Sequence, residues 1–131
     1  MHPAIPNDFW DYLDELVTSH PLVIDRPGGS HHPRYPELIY PLDYGYLEGT
    51  TSADRGGIDV WLGTSGSQSS SHVETKKLSA LVLTVDLLKR DAEIKLILNC
   101  TEKELQTILG FHNENRLRAI LVRRPTAKEM S

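Results

Sequence analysis

The apolar residues of this chain occur in short runs, and their spacing constrains the fold more than any other feature of the sequence. Six short runs have the length and composition of strands: 22–24, 44–47, 58–62, 78–85, 94–98 and 119–122. A helical pattern precedes them, with one apolar face formed by Phe9, Leu13, Leu16 and Val17. A capping box at Thr101 begins a second helix before the last run. This order predicts an α+β, mainly β, fold: a small, strongly curved sheet or barrel with a helix toward each end.

The connections favour one domain over residues 1–131. Residues 27–41 contain four prolines and two glycines, which predicts an ordered loop rather than regular structure. Residues 63–71 are rich in glycine and serine and are typical of a surface loop. The sequence shows no internal repeat and no domain boundary, and 131 residues suffice for one modest core but not for two.

Composition narrows the function class and the compartment. With 39% hydrophobic and 24% charged residues and a net charge of −4, the chain is typical of a folded domain that does not bind nucleic acid. No apolar run reaches the length of a membrane span, and residues 1–10 lack the pattern of a signal peptide. Cys100 is the only cysteine, which indicates a reducing compartment. We therefore expect a cytoplasmic protein with neither nucleic-acid nor membrane partners.

Two pairs of aspartates have the same separation at two strand ends. Asp54 and Asp59 flank a segment with two glycines, and Asp86 and Asp91 bracket a tight connection between two predicted strands. Carboxylate oxygens are the ligands that Mg²⁺ prefers, and two such ions can clamp a phosphate. Turn chemistry is the stronger explanation of either pair alone, since aspartate beside glycine is common in turns, but the two pairs together are more informative. The spacing leaves both interpretations open.

The surrounding residues resemble the signature of soluble inorganic pyrophosphatases of the family I type. In that family a Tyr-Pro-x-Asn-Tyr-Gly segment leads into an Asp-Gly-Asp-Pro-x-Asp-Val metal motif. Here the corresponding stretch is Tyr40-Pro41-Leu42-Asp43-Tyr44-Gly45-Tyr46, followed by Asp54 and then Ile58-Asp59-Val60. The pair Asp86 and Asp91 matches the family's second metal-binding pair. The resemblance covers roughly residues 24–98.

The resemblance implies a fold, a reaction and a set of site residues. The fold is a small distorted OB-like β-barrel with flanking N- and C-terminal helices. The reaction is hydrolysis of diphosphate to phosphate by metal-activated water, with Mg²⁺ as cofactor and Mn²⁺ as a substitute. The partner is a small phosphate-containing substrate, and homo-oligomers are common in the family. The implied metal ligands are Asp54, Asp59, Asp86 and Asp91, with Asp25 in the outer shell; the implied phosphate contacts are Arg34, Tyr44 and Lys95; and Asp54, Asp59 and Tyr44 are assigned to catalysis.

Three departures from the family pattern favour a second hypothesis. The middle aspartate of the metal motif, which activates the water, is Gly56 here. The stretch between Tyr35 and Tyr40 is too short for the family's arginine hairpin, and residues 111–124 lack its Tyr-Lys phosphate contacts. The alternative is a catalytically degenerate module that keeps metal and phosphate affinity on the same fold. A single-strand nucleic-acid binder on a small barrel is a third hypothesis, disfavoured by the acidic chain.

Other side chains near the motif have two interpretations each. Asp43 is either a relocated base or a carboxylate that caps a turn. His31 and His32 either touch phosphate or are solvated loop residues. An arginine adjoins each of three motif aspartates and either binds phosphate or pairs with that aspartate at the surface: Arg26, Arg55 and Arg90. We expect His112, Trp10 and Trp61 to be core or boundary residues.

Overall fold

The computed structural model describes residues 6, 8–53, 55–65 and 76–126. Within these residues it contains two helices and six strands, and the expected α+β, mainly β, class is confirmed. In chain order they are α1 (Phe9–Ser19), β1 (Leu22–Arg26), β2 (Asp43–Leu47), β3 (Ile58–Leu62), β4 (Leu78–Asp86), β5 (Asp91–Leu98), α2 (Glu102–Phe111) and β6 (Leu117–Arg123). Within the described ranges, neither helix is long and apolar enough to cross a membrane.

The six strands form one sheet in the order β1-β2-β3-β5-β4-β6. Neighbours are antiparallel except β3 and β5, which run parallel because β4 lies on the far side of β5. The turn between β4 and β5 is the tight connection predicted from sequence, and Asp86 pairs with Asp91 across it. Among the described residues β1 and β6 pair only with β2 and β4, so the sheet stays open and resembles a barrel only loosely.

The core is divided between the two faces of the sheet. Trp10 and Val17 of α1 pack on one face with Val60 and Leu96, while Leu105 and Ile108 of α2 pack on the other. Because helices cover both faces there, the C-terminal parts of β3 and β5, residues 60–62 and 96–98, are continuous apolar runs, whereas the first half of β5 alternates. The capping box of α2 is present, with Thr101 Oγ1 accepting from the Glu104 amide at 3.2 Å.

One prediction for α1 was wrong by a single position. Phe9 is 36% exposed, whereas the neighbouring Trp10, expected to be a core or boundary residue, is 1% exposed and supplies the apolar anchor of the helix. The two rings meet edge to face at 5.4 Å, so Phe9 lies over the rim of the core. The loop 27–41 is ordered as predicted, because His31 and Ile39 form a β-bridge. Most of the predicted surface loop 63–71 lies outside the described residues.

Gly45 allows β1 and β2 to approach each other closely. A Cβ atom at this position would lie 1.8 Å from the Val23 carbonyl oxygen, a distance that no side chain tolerates. β1 also contains a bulge at Asp25, since Ile24 pairs with Gly45 but Arg26 pairs with Tyr44. A bulge redirects the side chains around it. Asp25 and Arg26 both line the cleft described below.

Candidate active-site cleft

Two adjoining cavities open on the face of the sheet that α2 covers, beyond the end of the helix. The first, of about 180 Å³, is lined by carboxylates and cations and is called here the polar chamber; it includes Asp25 and Asp59. The second, of about 160 Å³, is called the aromatic chamber; its walls include Tyr35, Tyr40 and Phe111. Both are lined by Arg26, Tyr44, Lys89, Glu93 and Lys95. These shared residues make the two chambers one cleft.

The strands place the cleft residues by simple alternation. Asp91, Glu93 and Lys95 occupy every second position of β5 and therefore point to one face. Asp86 and Thr84 of β4 lie opposite Asp91 and Glu93, so their side chains share that face.

The remaining strands bring a tyrosine and an aspartate beside Lys95. Val60 pairs with Leu96 in the parallel register, which places Asp59 next to Lys95. Tyr44 and Tyr46 occupy alternate positions of β2, and Tyr46 lies opposite Asp59. Tyr44 therefore lies on the same face as Asp59 and completes the group around Lys95.

Lys95 is the centre of the cleft. Its Nζ donates to Tyr44 Oη at 2.9 Å, Asp59 Oδ2 at 2.9 Å and Glu93 Oε2 at 2.8 Å. An ammonium group has three donors, so all of them are used. The Lys95 and Glu93 side chains are 9% and 10% exposed, and that of Asp59 is 27% exposed. The predicted phosphate contact at Lys95 therefore requires Lys95 to release one of these partners.

These contacts fix the protonation of Lys95 and Tyr44. Burial lowers the pKa of the Lys95 ammonium, but the attraction of Tyr44, Asp59 and Glu93 outweighs it and raises that pKa well above its usual value. Burial, assisted by the charge of Asp59 and opposed by Lys95, raises the pKa of the Tyr44 phenol. At neutral pH, Lys95 is charged and Tyr44 keeps its proton, which makes Tyr44 a hydrogen-bond donor.

Four of the five predicted metal ligands line the same cleft, in two groups. Asp25 and Asp59 line the polar chamber, and Asp86 and Asp91 line the aromatic chamber. Asp54 lies outside the described residues. Asp86 Oδ1 accepts from the amides of Leu88 and Lys89 at 2.9 and 3.0 Å, so this carboxylate also stabilises the β4–β5 turn.

The donor chemistry suits a hard cation, while the arrangement of the donors is incomplete. All the acidic side chains named above offer carboxylate oxygens, which Mg²⁺ and Mn²⁺ accept. In the part of the chain that the structure describes, no three of them lie together as a ready metal-binding group. Asp59 is held by Lys95 at 2.9 Å. The residue types therefore suit Mg²⁺, but the carboxylates are arranged as pairs and do not surround one common point.

Arg26, and not Arg34, supplies a cation to the cleft. Arg34 is exposed, lies in the loop after β1 and lines neither chamber. Arg26 lines both, donates from Nη1 to Tyr40 Oη and lies 5.5 Å from the Tyr40 ring centre. Lys89, in the β4–β5 turn, also lines both chambers. Within the described ranges neither Arg26 nor Lys89 forms an ion pair, so both charges are available to an anion.

A cluster of packed aromatic rings underlies the aromatic chamber. Trp61, fully buried as predicted, contacts the rings of Tyr40, Tyr44 and Phe111 at 4.7 to 5.9 Å. Its Nε1 donates to His112 Nε2 at 2.9 Å. Because Trp61 can only donate, His112 Nε2 must be unprotonated, and the ring proton is on Nδ1. Burial, followed by the charges of two cleft lysines, lowers the pKa of His112 to about 3 and keeps it neutral.

Among the other residues with two interpretations, only His32 lines a chamber, so its contact with phosphate stays a prediction. Asp43 Oδ1 accepts from the Gly28 amide at 2.8 Å and lines neither chamber, so it stabilises the loop. His31 Nδ1 lies 2.6 Å from the Pro36 carbonyl oxygen, and His32 Nδ1 accepts two loop amides. Arg55 and Arg90 have positive φ angles in turns and line neither chamber.

The fold is similar to that of a solved inorganic pyrophosphatase from Neisseria gonorrhoeae. The TM-score is 0.60 at 14% identity, and the match covers 78% of this chain and 80% of that one. No protein-family model matches the sequence, and no curated protein matches it. At this identity the likeness shows a pyrophosphatase-like fold, and it agrees with the family that the sequence motif resembles.

Sequence reasoning missed two cleft residues, Glu93 and Lys89. Glu93 follows Asp91 at strand spacing and precedes Lys95 at the same spacing, so the alternation along β5 was a usable signal. Lys89 lies in the turn between the second pair of aspartates. Nothing in its sequence context distinguishes it from Arg90 beside it.

Proposed function

We propose that this chain is a Mg²⁺-dependent phosphoanhydride hydrolase of the inorganic pyrophosphatase type. The observation that carries the proposal is the polar chamber, where Asp25, Asp59 and Glu93 lie with Arg26, Lys89 and Lys95 in a pyrophosphatase-like fold. A diphosphate needs cations around its oxygens and a divalent ion to neutralise its charge. The carboxylates offer ligands for the divalent ion, and the cations without ion pairs offer charge for the phosphate oxygens.

The carboxylates would hold the metal, and the cations would hold the phosphate. Asp59, Asp86 and Asp91 would bind Mg²⁺ or Mn²⁺ together with Asp54, and Asp25 would act through water. Bound Mg²⁺ would offset charge on the phosphoryl oxygens and make a water more acidic. Arg26 offers a planar fork of donors that matches phosphate oxygens.

The group around Lys95 orients the reacting side of the cleft. Lys95 holds Asp59 and the Tyr44 hydroxyl in fixed positions, and its own charge lowers the cost of bringing a polyanion into the cleft. The Tyr44 proton can be donated to a phosphate oxygen, because burial keeps the phenol protonated. Arg26 would make the phosphate contact that the family resemblance implies for Arg34.

Two observations favour a second candidate, a metal- and phosphate-binding module without turnover. The water-activating position is Gly56, which has no carboxylate, and Asp59 is engaged by Lys95. Such a module would use the same cleft and the same ions. It would differ from the enzyme only in the chemical step.

The deciding experiment measures phosphate release from pyrophosphate with and without Mg²⁺. We expect Mg²⁺-dependent release that Asp91→Asn reduces by about 100-fold or more, the range that single electrostatic groups typically contribute to catalysis. Asp11→Asn is the matched control, since Asp11 lies on α1, outside both chambers. Mg²⁺-dependent binding of pyrophosphate without release would favour the second candidate. Absence of both binding and release would contradict both proposals.

A further inference from the structure

The face of the sheet opposite the cleft is covered by α1 over only part of its length. Leu81 belongs to the core cluster that includes Trp10 of α1, and alternation along β4 places Leu83 on the same face, farther along the strand. Leu83 pairs with one residue of β5 and one of β6, so three strands present a continuous apolar surface, called here the sheet patch. Besides Leu83, its members are all at least half exposed: Val85 (50%), Leu87 (55%), Ile94 (53%) and Ile120 (61%). Single exposed aliphatic residues are ordinary, but contiguous ones mark a contact surface.

The rim of the sheet patch is positively charged. A cavity of about 240 Å³ lies at its end and is lined by Val85, Leu87, Asn115, Arg116 and Arg118. Neither arginine forms an ion pair with a described residue. Arg118 Nη1 donates to two carbonyl oxygens of the neighbouring turn at 3.0 and 2.7 Å, which holds its charge at this end of the patch. Apolar surface beside arginine is the composition typical of protein–protein interfaces.

The outer surface of α1 has the opposite charge. Tyr12 is 72% exposed there, and Asp8 and Glu15 are exposed as well. These two acids lie four positions before and three positions after Tyr12, so they are its neighbours on the helix surface. Neither acid forms an ion pair with a described residue. The same side of the sheet therefore carries a basic, apolar surface next to an acidic one.

We infer that the sheet patch binds the sheet patch of a second copy of this chain, related by a twofold axis. The two sheets face each other in opposite directions, so that α1 of each copy lies against the arginine rim of the other. The reverse orientation would make the two α1 helices collide, because a helix is about 10 Å thick and packed sheets are only about 10 Å apart. Charge favours the same orientation, since Arg116 and Arg118 then meet Asp8 and Glu15 of the partner copy. A twofold axis forms each contact twice and closes the assembly at two copies.

The extent of the patch sets the expected affinity. Three strands about 4.8 Å apart and residues 83–87 at about 3.3 Å each give a floor of roughly 200 Å². A standard interface buries about 800 Å² per partner, so the contacts of α1 with the partner's rim have to supply the remainder. We therefore expect a dissociation constant in the micromolar range. The cleft lies on the opposite face and stays open, so the dimer and the proposed hydrolase are independent of each other.

Sedimentation equilibrium of the full chain at micromolar concentrations measures the association. We expect a monomer–dimer equilibrium that Ile120→Lys weakens by about 100-fold or more, because the change places a charge in the apolar contact twice per dimer. Ile39→Lys is the matched control, since Ile39 is 51% exposed in the loop 27–41 beside the cleft, and it should leave the equilibrium unchanged. Circular dichroism shows whether the variants keep the fold. A chain that is monomeric throughout, or a dimer that Ile120→Lys leaves intact, would overturn the inference.

Charge reversal tests the orientation of the two copies. Arg116→Glu with Arg118→Glu should weaken the dimer by about tenfold or more, because like charges then face each other across the interface. Adding Asp8→Lys and Glu15→Lys to the same chain should restore the affinity, which repair of a merely structural defect would not do. Failure of this restoration would contradict the proposed orientation. A chain that stays monomeric and sediments with vesicles containing phosphatidylserine would overturn the dimer and assign the patch to a membrane surface.

Discussion

Replacement of Lys95 by methionine removes the charge at the centre of the cleft while keeping a side chain of similar length. Asp59 and Glu93 are then left beside each other without their cation, and Glu93 is only 10% exposed. Removal of one partner from a buried ion pair typically costs about 3–5 kcal/mol. Asp59 is 27% exposed and partly solvated, so we expect the lower end, about 3 kcal/mol. For a domain of this size that loss corresponds to roughly 10 °C in the midpoint of thermal unfolding.

Urea unfolding, followed by tryptophan fluorescence and far-ultraviolet circular dichroism together, measures this loss. Lys103→Met is the matched control, because Lys103 is exposed on α2, and it should change the free energy of unfolding by less than about 0.5 kcal/mol. Adding Mg²⁺ should restore more stability to Lys95→Met than to the wild type, since the released carboxylates can then bind the ion. A loss below about 1 kcal/mol, or no difference in the response to Mg²⁺, would refute the central role of Lys95.

Three further predictions address other parts of the structure. The pKa of His112 is lowered from 6.5 to about 3, so between these pH values the unfolded chain binds one more proton at this residue than the folded chain, and the free energy of unfolding falls as the pH falls. Urea unfolding at pH 7 and pH 5 should therefore show a loss of stability that is about 2 kcal/mol smaller in His112→Gln than in the wild type. An identical loss in both proteins would contradict a buried, neutral ring. Gly45→Ala should cost about 3 kcal/mol in the same assay because its Cβ would collide with the Val23 carbonyl, whereas Gly110→Ala, with open space around it, should cost nothing. Gly56→Asp should raise the rate of Mg²⁺-dependent phosphate release by about 10²–10⁴-fold, the usual value of general-base assistance. A variant that folds and binds metal without a gain in rate would show that the missing carboxylate is not what limits activity.

Local patterns in the sequence predicted the local structure well. The short apolar runs at the ends of β3 and β5, residues 60–62 and 96–98, are continuous because both faces of the sheet are covered there, and that signal does not depend on knowing the neighbouring strands. The capping box at Thr101 and the turn from Asp86 to Asp91 involve residues close in sequence, so their geometry follows from the residue types.

Contacts between distant strands were harder to predict. The group around Lys95 depends on the parallel register of β3 and β5, and no local signal sets the pairing of strands separated by a hairpin. Arg26 lines the cleft beside the bulge at Asp25, whereas Arg34 does not, and a one-residue bulge is an irregularity that composition does not reveal. The misplacement of Phe9 has a similar origin, since a shift of one residue rotates a helix face by about 100°.

The most direct test of the proposed cleft is anomalous X-ray diffraction from crystals grown with Mn²⁺ and methylene diphosphonate, a non-hydrolysable analogue of pyrophosphate. Manganese scatters anomalously, so its position is measured independently of the protein atoms. The proposal predicts a manganese peak within ligand distance of Asp59, Asp86 or Asp91, with the diphosphonate in contact with Arg26 and Lys89. Manganese found only outside the cleft, with Lys95 still bound to Asp59 and Glu93 and no diphosphonate beside them, would contradict it.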